Sequence, residues 1–362
     1  MIKRNSTGFS LIELMLALSL GVVVTAGIVQ LFVGNSQTYN LLNGQARMQE
    51  NARFALDFLS RSVRSAGYLG CDPDEEKVIN TLGSQPNTNW NSLFEFNITE
   101  PIEAFNGLGG GAFNPSATAL PQNLGGGASI NTHIAGNGIN IGTLDSSSDI
   151  LVLRHMQVPG GRINAMVGPN DNPTVFDDGT LNFQLDDIVA ISNCEQAAMF
   201  KITAIASAGG LTTLSHGAGG AGRLSNAPGT SLSALNAPYG QANDAQGTTV
   251  SRVLTEIYYL ASDPDFTNNQ NVPIKSLWRK TSASAPVELI RGIDEFQVLL
   301  GVDTTSNAIK SVNQYFVPGT QPSSSVIRAI RIRIIANSID AVTADNQVLQ
   351  RTYTQTINVR NG

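Results

Sequence analysis

The sequence predicts an α+β protein, with one long N-terminal helix packed on a mainly antiparallel β-sheet domain that carries large Gly/Asn-rich insertions. Three observations lead there. From Phe9 to Val33 the only ionisable side chain is Glu13. From Gln37 to Ala66 there is no proline, and apolar residues recur at spacings of three and four, the period of a helix with one buried face. From Asp149 onward, short runs rich in β-branched residues follow one another between turn-forming segments, the signature of strands.

The apolar run comes first. At ~1.5 Å per residue it reaches roughly 37 Å, enough to cross a hydrocarbon core of about 30 Å with some tilt. Lys3 and Arg4 precede it and place the N-terminus on the cytoplasmic side, with the bulk of the chain beyond the membrane. A secretory signal peptide also has a basic start and an apolar core. Here the run is longer than such a core, Gly8 stands directly before it, and apolar residues continue past Thr25-Ala26-Gly27, the nearest thing to a cleavage site.

Glu13 needs a partner. A carboxylate at the centre of a bilayer costs about 2.5 to 3.5 kcal/mol on insertion scales, and the neighbouring sequence offers no cation. Cleavage between Gly8 and Phe9 would create one, the new amino group of Phe9, four residues before Glu13 or on a neighbouring subunit. The plainer alternative is a glutamate that snorkels to the interface.

The helix is expected to continue beyond the membrane. Ala52, Leu56, Leu59 and Val63 form a stripe, while Arg47, Arg53, Asp57, Arg61 and Arg64 lie on the opposite side, with Asp57 four residues from both Arg53 and Arg61 for weak surface pairing. Gly21, Gly27 and Gly34 mark where the helix can bend or locally unwind, and Gly67 is a natural stop. The expected division is a leader over 1–8, a transmembrane helix over 9–33, its amphipathic continuation over 34–66, and a β-rich domain over 67–362.

Within that domain strands are expected at Asp149 to His155, Asp187 to Ser192, Met199 to Ile205, Val253 to Leu260, Ser276 to Lys280, Phe296 to Val302, and Val326 to Ile335. In the last, Ile330, Ile332 and Ile334 alternate with Arg331 and Arg333, so one face is buried. Two segments dominated by Gly, Ala, Asn and Ser, around 105–148 and 206–247, read as irregular insertions.

Composition narrows the function classes. With 41% hydrophobic and 14% charged residues the chain can bury a core, and its formal net charge of −6 gives no basic footprint for nucleic acid. The two cysteines, Cys71 and Cys194, fit an oxidising compartment, and only one intramolecular disulfide joins them. Closing a loop of more than a hundred residues, it would stabilise by up to about 4 to 5 kcal/mol in the chain-entropy model.

Enzyme chemistry finds little to stand on. His133, His155 and His216 lie in unrelated contexts without ligand spacing, and no G-x-S-x-G elbow occurs. A G-x-G-x-x-G string at Gly217 to Gly222 is followed by Arg223-Leu224-Ser225-Asn226-Ala227-Pro228, which cannot begin the helix a dinucleotide site requires. Asp171-Asn172 with Asp177-Asp178, and Asp263-Pro264-Asp265 with Asn268 and Asn269, offer oxygen ligands but no EF-hand spacing; they read as solvated turns. Asn97-Ile98-Thr99 is a formal glycosylation sequon. No cofactor, metal site or catalytic residue is expected.

Gly8-Phe9-Ser10-Leu11-Ile12-Glu13-Leu14-Met15, leading an apolar helix, resembles the class III signal of type IV pilins and pseudopilins. The resemblance implies cleavage by a prepilin peptidase between Gly8 and Phe9, methylation of Phe9, and use of Glu13 in docking to a neighbouring subunit. The helix end Arg64-Ser65-Ala66-Gly67-Tyr68-Leu69-Gly70-Cys71, the segment Ser192-Asn193-Cys194-Glu195-Gln196-Ala197-Ala198-Met199-Phe200, and the run Leu289 to Asp303, which looks like a late hairpin of that family, are similar to PilW-type minor pilins. What this implies is a pilin-like fold and a low-abundance subunit that helps initiate a type IV pilus near its tip. Its implied partners are prepilin peptidase, other minor pilins, the major pilin, an inner-membrane assembly platform and a tip adhesin. It would reside in the inner membrane with its domain periplasmic, then in the pilus at the cell surface. Two further readings are a minor pseudopilin of a type II secretion system and a surface-binding module whose insertions recognise a target.

Overall fold

The computed structural model describes residues 10–70, 78–82, 96–115, 144–158, 160–165, 171–177, 179–193, 197–217, 248–281, 286–305, 311–323 and 325–360. One helix, α1 (Leu11–Ser65), is followed by β1 (Val78–Asn80), β2 (Ile102–Gly109), β3 (Ala112–Asn114), β4 (Ile150–Met156), β5 (Gly161–Ala165), β6 (Thr174–Phe176), β7 (Ile188–Ser192), β8 (Ala197–Lys201), β9 (Ala204–Ala208), β10 (Leu211–Ser215), β11 (Thr249–Thr267), β12 (Pro273–Thr281), β13 (Val287–Arg291), β14 (Ile293–Asp303), β15 (Gln314–Phe316), β16 (Val326–Ala341) and β17 (Val348–Asn358). The α+β class is as expected. Among the described strands every pairing is antiparallel except β1 with β8.

α1 runs unbroken through Gly21, Gly27 and Gly34, so the unwinding allowed for at those glycines does not occur. It ends where expected, with Ala66 as cap and the Gly67 N–H donating to Arg154 O at 2.9 Å. Its two halves differ as the sequence predicts. No side chain in the apolar first part is buried, whereas Met48, Ala52, Ala55, Leu59, Val63 and Ala66 are. Leu56 is only half-buried beside this stripe. Arg47, Arg53, Asp57, Arg61 and Arg64 are all exposed, and Asp57 pairs with Arg61 at 2.6 Å.

β11 organises the larger sheet. At ~3.3 Å per residue a strand of this length reaches roughly 60 Å, too far for one set of neighbours. Its start, Thr249–Arg252, pairs with β7; Val253–Tyr258 pairs with β4; Glu256 onward pairs with β12. Beyond these lie β8 and β1 on one arm, β6, β10 and β9 on another, β2 and β3 past β4, and β13 past β12. A second sheet has the order β15-β14-β16-β17. The buried stripe of α1 packs against residues of both, including Leu151, Tyr258 and Leu277 from the first and Phe296, Val298, Ile330, Ile332 and Ile334 from the second. The alternation in β16 holds: Ile330, Ile332 and Ile334 are fully buried, while Arg331 lies over the Tyr315 ring and Arg333 donates to Gln297.

The two sheets are also tied by Ser148 and Asp149, just before β4. The Asp149 N–H donates to Phe296 O, and its carboxylate accepts the N–H of Gly107 at 3.0 Å and of Val298 at 2.7 Å.

Several expectations need correction. The segments around 105–148 and 206–247 are not irregular from their starts. β2 runs into the first and closes on β3 as a hairpin, and β9 pairs with β10 inside the second. In both hairpins the two loop residues are a Gly-Gly pair at positive φ, Gly110-Gly111 and Gly209-Gly210, so these glycines are tight-turn residues rather than marks of irregular chain. The remainder of both segments lies largely outside the described residues. The run Leu289 to Asp303 is not a hairpin: β13 pairs with β12 and β14 with β15 and β16. Only Gly292 separates them, too short a loop for a hairpin, and at φ 77° it turns the chain from one sheet into the other. The expected strand Met199 to Ile205 divides into β8 and β9.

Replacing Leu59 by Ala removes a fully buried side chain from the surface shared by α1 and both sheets. It is expected to lower the unfolding free energy of the detergent-solubilised chain by about 2–5 kcal/mol, whereas Arg53→Ala on the exposed side shifts it by less than about 0.5 kcal/mol; denaturant titration of both measures the difference.

Candidate assembly surface

The stem of α1 is a surface with nothing on it. Leu11, Ile12, Leu14, Met15, Leu16, Leu18 and Leu20 begin a dense series of exposed apolar side chains that runs to Val33 and thins beyond it, and the helix is long and apolar enough to cross a membrane. In water such a surface would associate or aggregate. Its hydroxyls are already satisfied: Ser19 donates to Leu16 O, Thr25 to Gly21 O and, beyond Val33, Thr38 to Gly34 O, at 2.7–2.9 Å. That removes the cost of burying them in hydrocarbon.

Glu13 lies in the first turn of this stem, where the helix dipole favours a negative charge. Ser10 is the N-cap, and Ser10 and Glu13 have the spacing of a capping box. The box does not form, because Ser10 makes no side-chain capping bond. Glu13 therefore has no partner among the described residues. Gly8 and Phe9 lie outside those residues, as do Cys71, Cys194 and His133.

At the other end of α1, a buried polar chain fixes the helix to the sheet. Ser62 Oγ and Tyr258 Oη are 2.6 Å apart, Tyr258 donates to Glu256 at 3.1 Å, and Glu256 faces Arg279 at 3.4 Å and His155 Nε2 at 3.7 Å. Burial alone would depress the His155 imidazolium, but the Glu256 carboxylate and the Met156 carbonyl outweigh it and hold the group above the ordinary histidine value. Burial would raise Glu256, yet His155, Ser62 and Arg279 hold it below the usual carboxylate range. For Asp149, burial wins: its carboxyl is pushed up to about 6 against the pull of the Val298 and Gly107 N–H donors, with Glu295 adding to the rise.

The other polar groups weighed in the sequence make the following contacts. His216 Nε2 lies 3.1 Å from Asp171 O, and its backbone N–H donates to the Asn172 side chain. Asp177 accepts from Gly179 N and Thr212 Oγ1, and Asn268 and Asn269 bind the Ile339–Ala341 segment. These are turn and strand contacts. No group of three or more His, Cys, Asp or Glu side chains able to hold a metal occurs among the described residues. Asn97 of the sequon is buried, and its side chain accepts from Thr99 Oγ1 at 2.6 Å, which leaves it poorly placed to carry a glycan. The sequence reading missed the Ser62–Tyr258–Glu256–His155 chain, whose members are scattered over the sequence, and Phe54 and Phe58, exposed on the charged side of α1. The four-residue spacing of those two aromatics was the signal available.

Two comparisons with known families bear on this geometry. Residues 3–29 match the prokaryotic N-terminal methylation motif, and residues 257–361 match type IV pilus-assembly protein W. The chain is similar to PilW-type pilus-assembly proteins. The resemblance read from Gly8 to Met15 is thus upheld, and the two matches support a type IV pilus-related pilin. The PilW-like part spans the second half of β11 through β17, which supplies much of the surface that holds α1; residues 30–256 lie outside both matches. No curated protein and no solved structure matches the chain.

The titrating groups give a pH dependence with a definite sign. His155 and Asp149 both have folded values above their unfolded ones, so each contributes stability that is complete below the unfolded value and disappears as pH rises through the folded one. Glu256 acts oppositely, and only as pH falls below the ordinary glutamate value. Thermal melting of the solubilised chain should decline from about pH 4 to about pH 6 through Asp149, a part that Asp149→Asn removes, and decline further above the ordinary histidine value, a part that His155→Gln removes.

Proposed function

We propose that this chain is a minor pilin, a low-abundance subunit that helps initiate type IV pilus assembly near the filament tip. The observation that carries the proposal is the joining of two matched regions by one helix: the methylation motif at residues 3–29 runs into α1 from Leu11 onward, and the PilW-like region at 257–361 packs against its far end. In this reading prepilin peptidase cuts between Gly8 and Phe9 and Phe9 is methylated. Residues 9–33 then hold the chain in the inner membrane with the domain periplasmic, until other minor pilins, the major pilin and the assembly platform draw it into a filament. Residues 34–66 are the mount for the domain, which is a structural module and not an enzyme. Glu13, unpartnered within the described chain, would neutralise the Phe9 amino group of a neighbour; that pairing replaces two separately buried charges in hydrocarbon with one ion pair.

A disulfide between Cys71 and Cys194 belongs to the same proposal. The described residues on either side of both cysteines support it. A Cβ placed on Gly70 would lie 2.6 Å from Ser192 Oγ, and Val78 pairs with Ala197, so the chain is brought together just before and just after the two positions.

Filaments sheared from cells carrying the full-length chain test both parts. Glu13→Leu is expected to leave membrane insertion intact and lower the amount of this subunit in the sheared fraction by roughly tenfold or more, as loss of a buried charge pair implies. Alkylation of wild-type subunit from the same fraction without reduction is expected to label neither cysteine. Normal incorporation of the Glu13 variant, or two labelled thiols, contradicts the corresponding part.

A further inference from the structure

The exposed aromatics of α1 stand over a trough. Between Phe54 and Phe58 on the helix and Leu289 and Ile290 on β13 lies an open apolar cavity of about 500 Å³, whose lining also includes Arg47 and Ile339. Phe54 is 55% exposed and Phe58 41% exposed, although both sit on the half of the helix that packs against the domain. Among the described strands β13 is a sheet edge, paired only with β12. Its outer side runs along α1, where Asn51 Nδ2 donates to Arg291 O at 3.1 Å.

Three features make this more than a gap in packing. First, part of the lining is held at a conformational cost. Ile339 has φ 67°, a left-handed conformation that a β-branched residue adopts only under constraint. The constraint is visible: Ile339 N donates to Asn337 Oδ1 at 2.7 Å, and Asn337 Nδ2 donates to Asp294 at 2.6 Å. Second, the rim is cationic. Arg291 is occupied by Glu288 and by stacking on Phe266, and Arg279 by Glu256 and Phe58, but Arg47 makes no ion pair among the described residues. Third, Arg47 also borders a second cleft of about 220 Å³, lined by Asn43, Asn269 and Asp340 among others. The apolar trough therefore continues, past the Arg47 guanidinium, into a polar groove along the same helix.

We propose that this trough receives a segment of a neighbouring pilin-type subunit, with an apolar side chain seated between Phe54 and Ile290 and a carboxylate on Arg47. The proposal rests on the pilin reading above. Charge complementarity selects the occupant: Arg47, which lines the apolar trough and makes no ion pair among the described residues, is met by an acidic residue beside an apolar anchor. Location selects its source. The trough lies along α1 beyond the apolar stem, so a subunit whose stem runs beside this one brings its domain to this level. The occupant is a different subunit, not a second copy. A head-to-tail contact between identical chains would repeat without closing, whereas the proposed role calls for a low-abundance subunit.

The test uses the full-length chain in cells that assemble filaments, with the photo-crosslinker p-benzoylphenylalanine at the position of Phe54 or, separately, Phe58, and at exposed Phe176 on β6 as the control. The expected product is an adduct from both helix positions, and not from the control, with one different protein that carries an N-terminal methylation motif, through a peptide containing Asp or Glu beside an apolar residue. Arg47→Glu is expected to lower adduct yield by roughly tenfold and Arg47→Lys to preserve most of it. Adducts to lipid, to a second copy, or equally from Phe176, or a yield unaffected by Arg47→Glu, overturn the proposal. The N-terminus of the same material separates the two failures: a chain that starts at methylated Phe9 without the adduct sinks the trough alone, and an uncut chain sinks the pilin reading with it.

Discussion

Everything in this molecule depends on one stripe of α1 being shared by two sheets. Met48, Ala52, Ala55, Leu59, Val63 and Ala66 meet strands of the large sheet and of the four-stranded sheet in a single core. The small residues at positions 52 and 55 allow close approach, and Leu59 and Val63 fill the space where the sheets converge. Because the helix is continuous, this packing also fixes the direction of the apolar stem. A helix that is apolar all round in one half and on one face in the other suits passage from an apolar environment, lipid or neighbouring helices, to a folded domain.

Around that stripe the polar contacts do a second job, which is to set the orientation of the helix. Hydrophobic burial is not directional; the chain Ser62–Tyr258–Glu256–His155 is. Ser62, Tyr258 and Glu256 are linked by hydrogen bonds, and His155 and Glu256, 3.7 Å apart, stabilise one another's charged forms. Asp149 plays the corresponding part between the sheets, accepting backbone donors from β2 and β14. The PilW-like region contributes β14, β16 and β17 to this assembly, while β1 to β10 lie outside both matched regions. The matched and unmatched parts of the domain are thus joined through β11, whose first half lies outside the match and whose second half lies within it.

How much of this could be read from the sequence follows from the range of the interactions involved. The helix was legible because its periodicity is local, and so was β16, whose isoleucines alternate with arginines. The short strands β1, β3, β6 and β15 were not, since three residues carry no period. The Gly-Gly turns were misread because glycine abundance marks both irregular chain and tight hairpins, and only the pairing partner distinguishes them. The Leu289 to Asp303 run was misread for a related reason: nothing local says that Gly292 sends the chain into a different sheet. Glu13 stood out because a carboxylate in an apolar run is costly whatever the fold. The trough did not, because Phe54, Ile290 and Ile339 are brought together only by tertiary structure.

The central claim is that α1 becomes an assembly element through processing at its N-terminus, and one measurement addresses it directly. The full-length chain should be expressed with and without a prepilin peptidase, and the N-terminal residue and mass of the membrane-bound product determined. The account predicts a product that begins at methylated Phe9 only when the peptidase is present, and whose formation Gly8→Val abolishes. An intact N-terminus in the presence of the peptidase, or cleavage near Ala26, would contradict it.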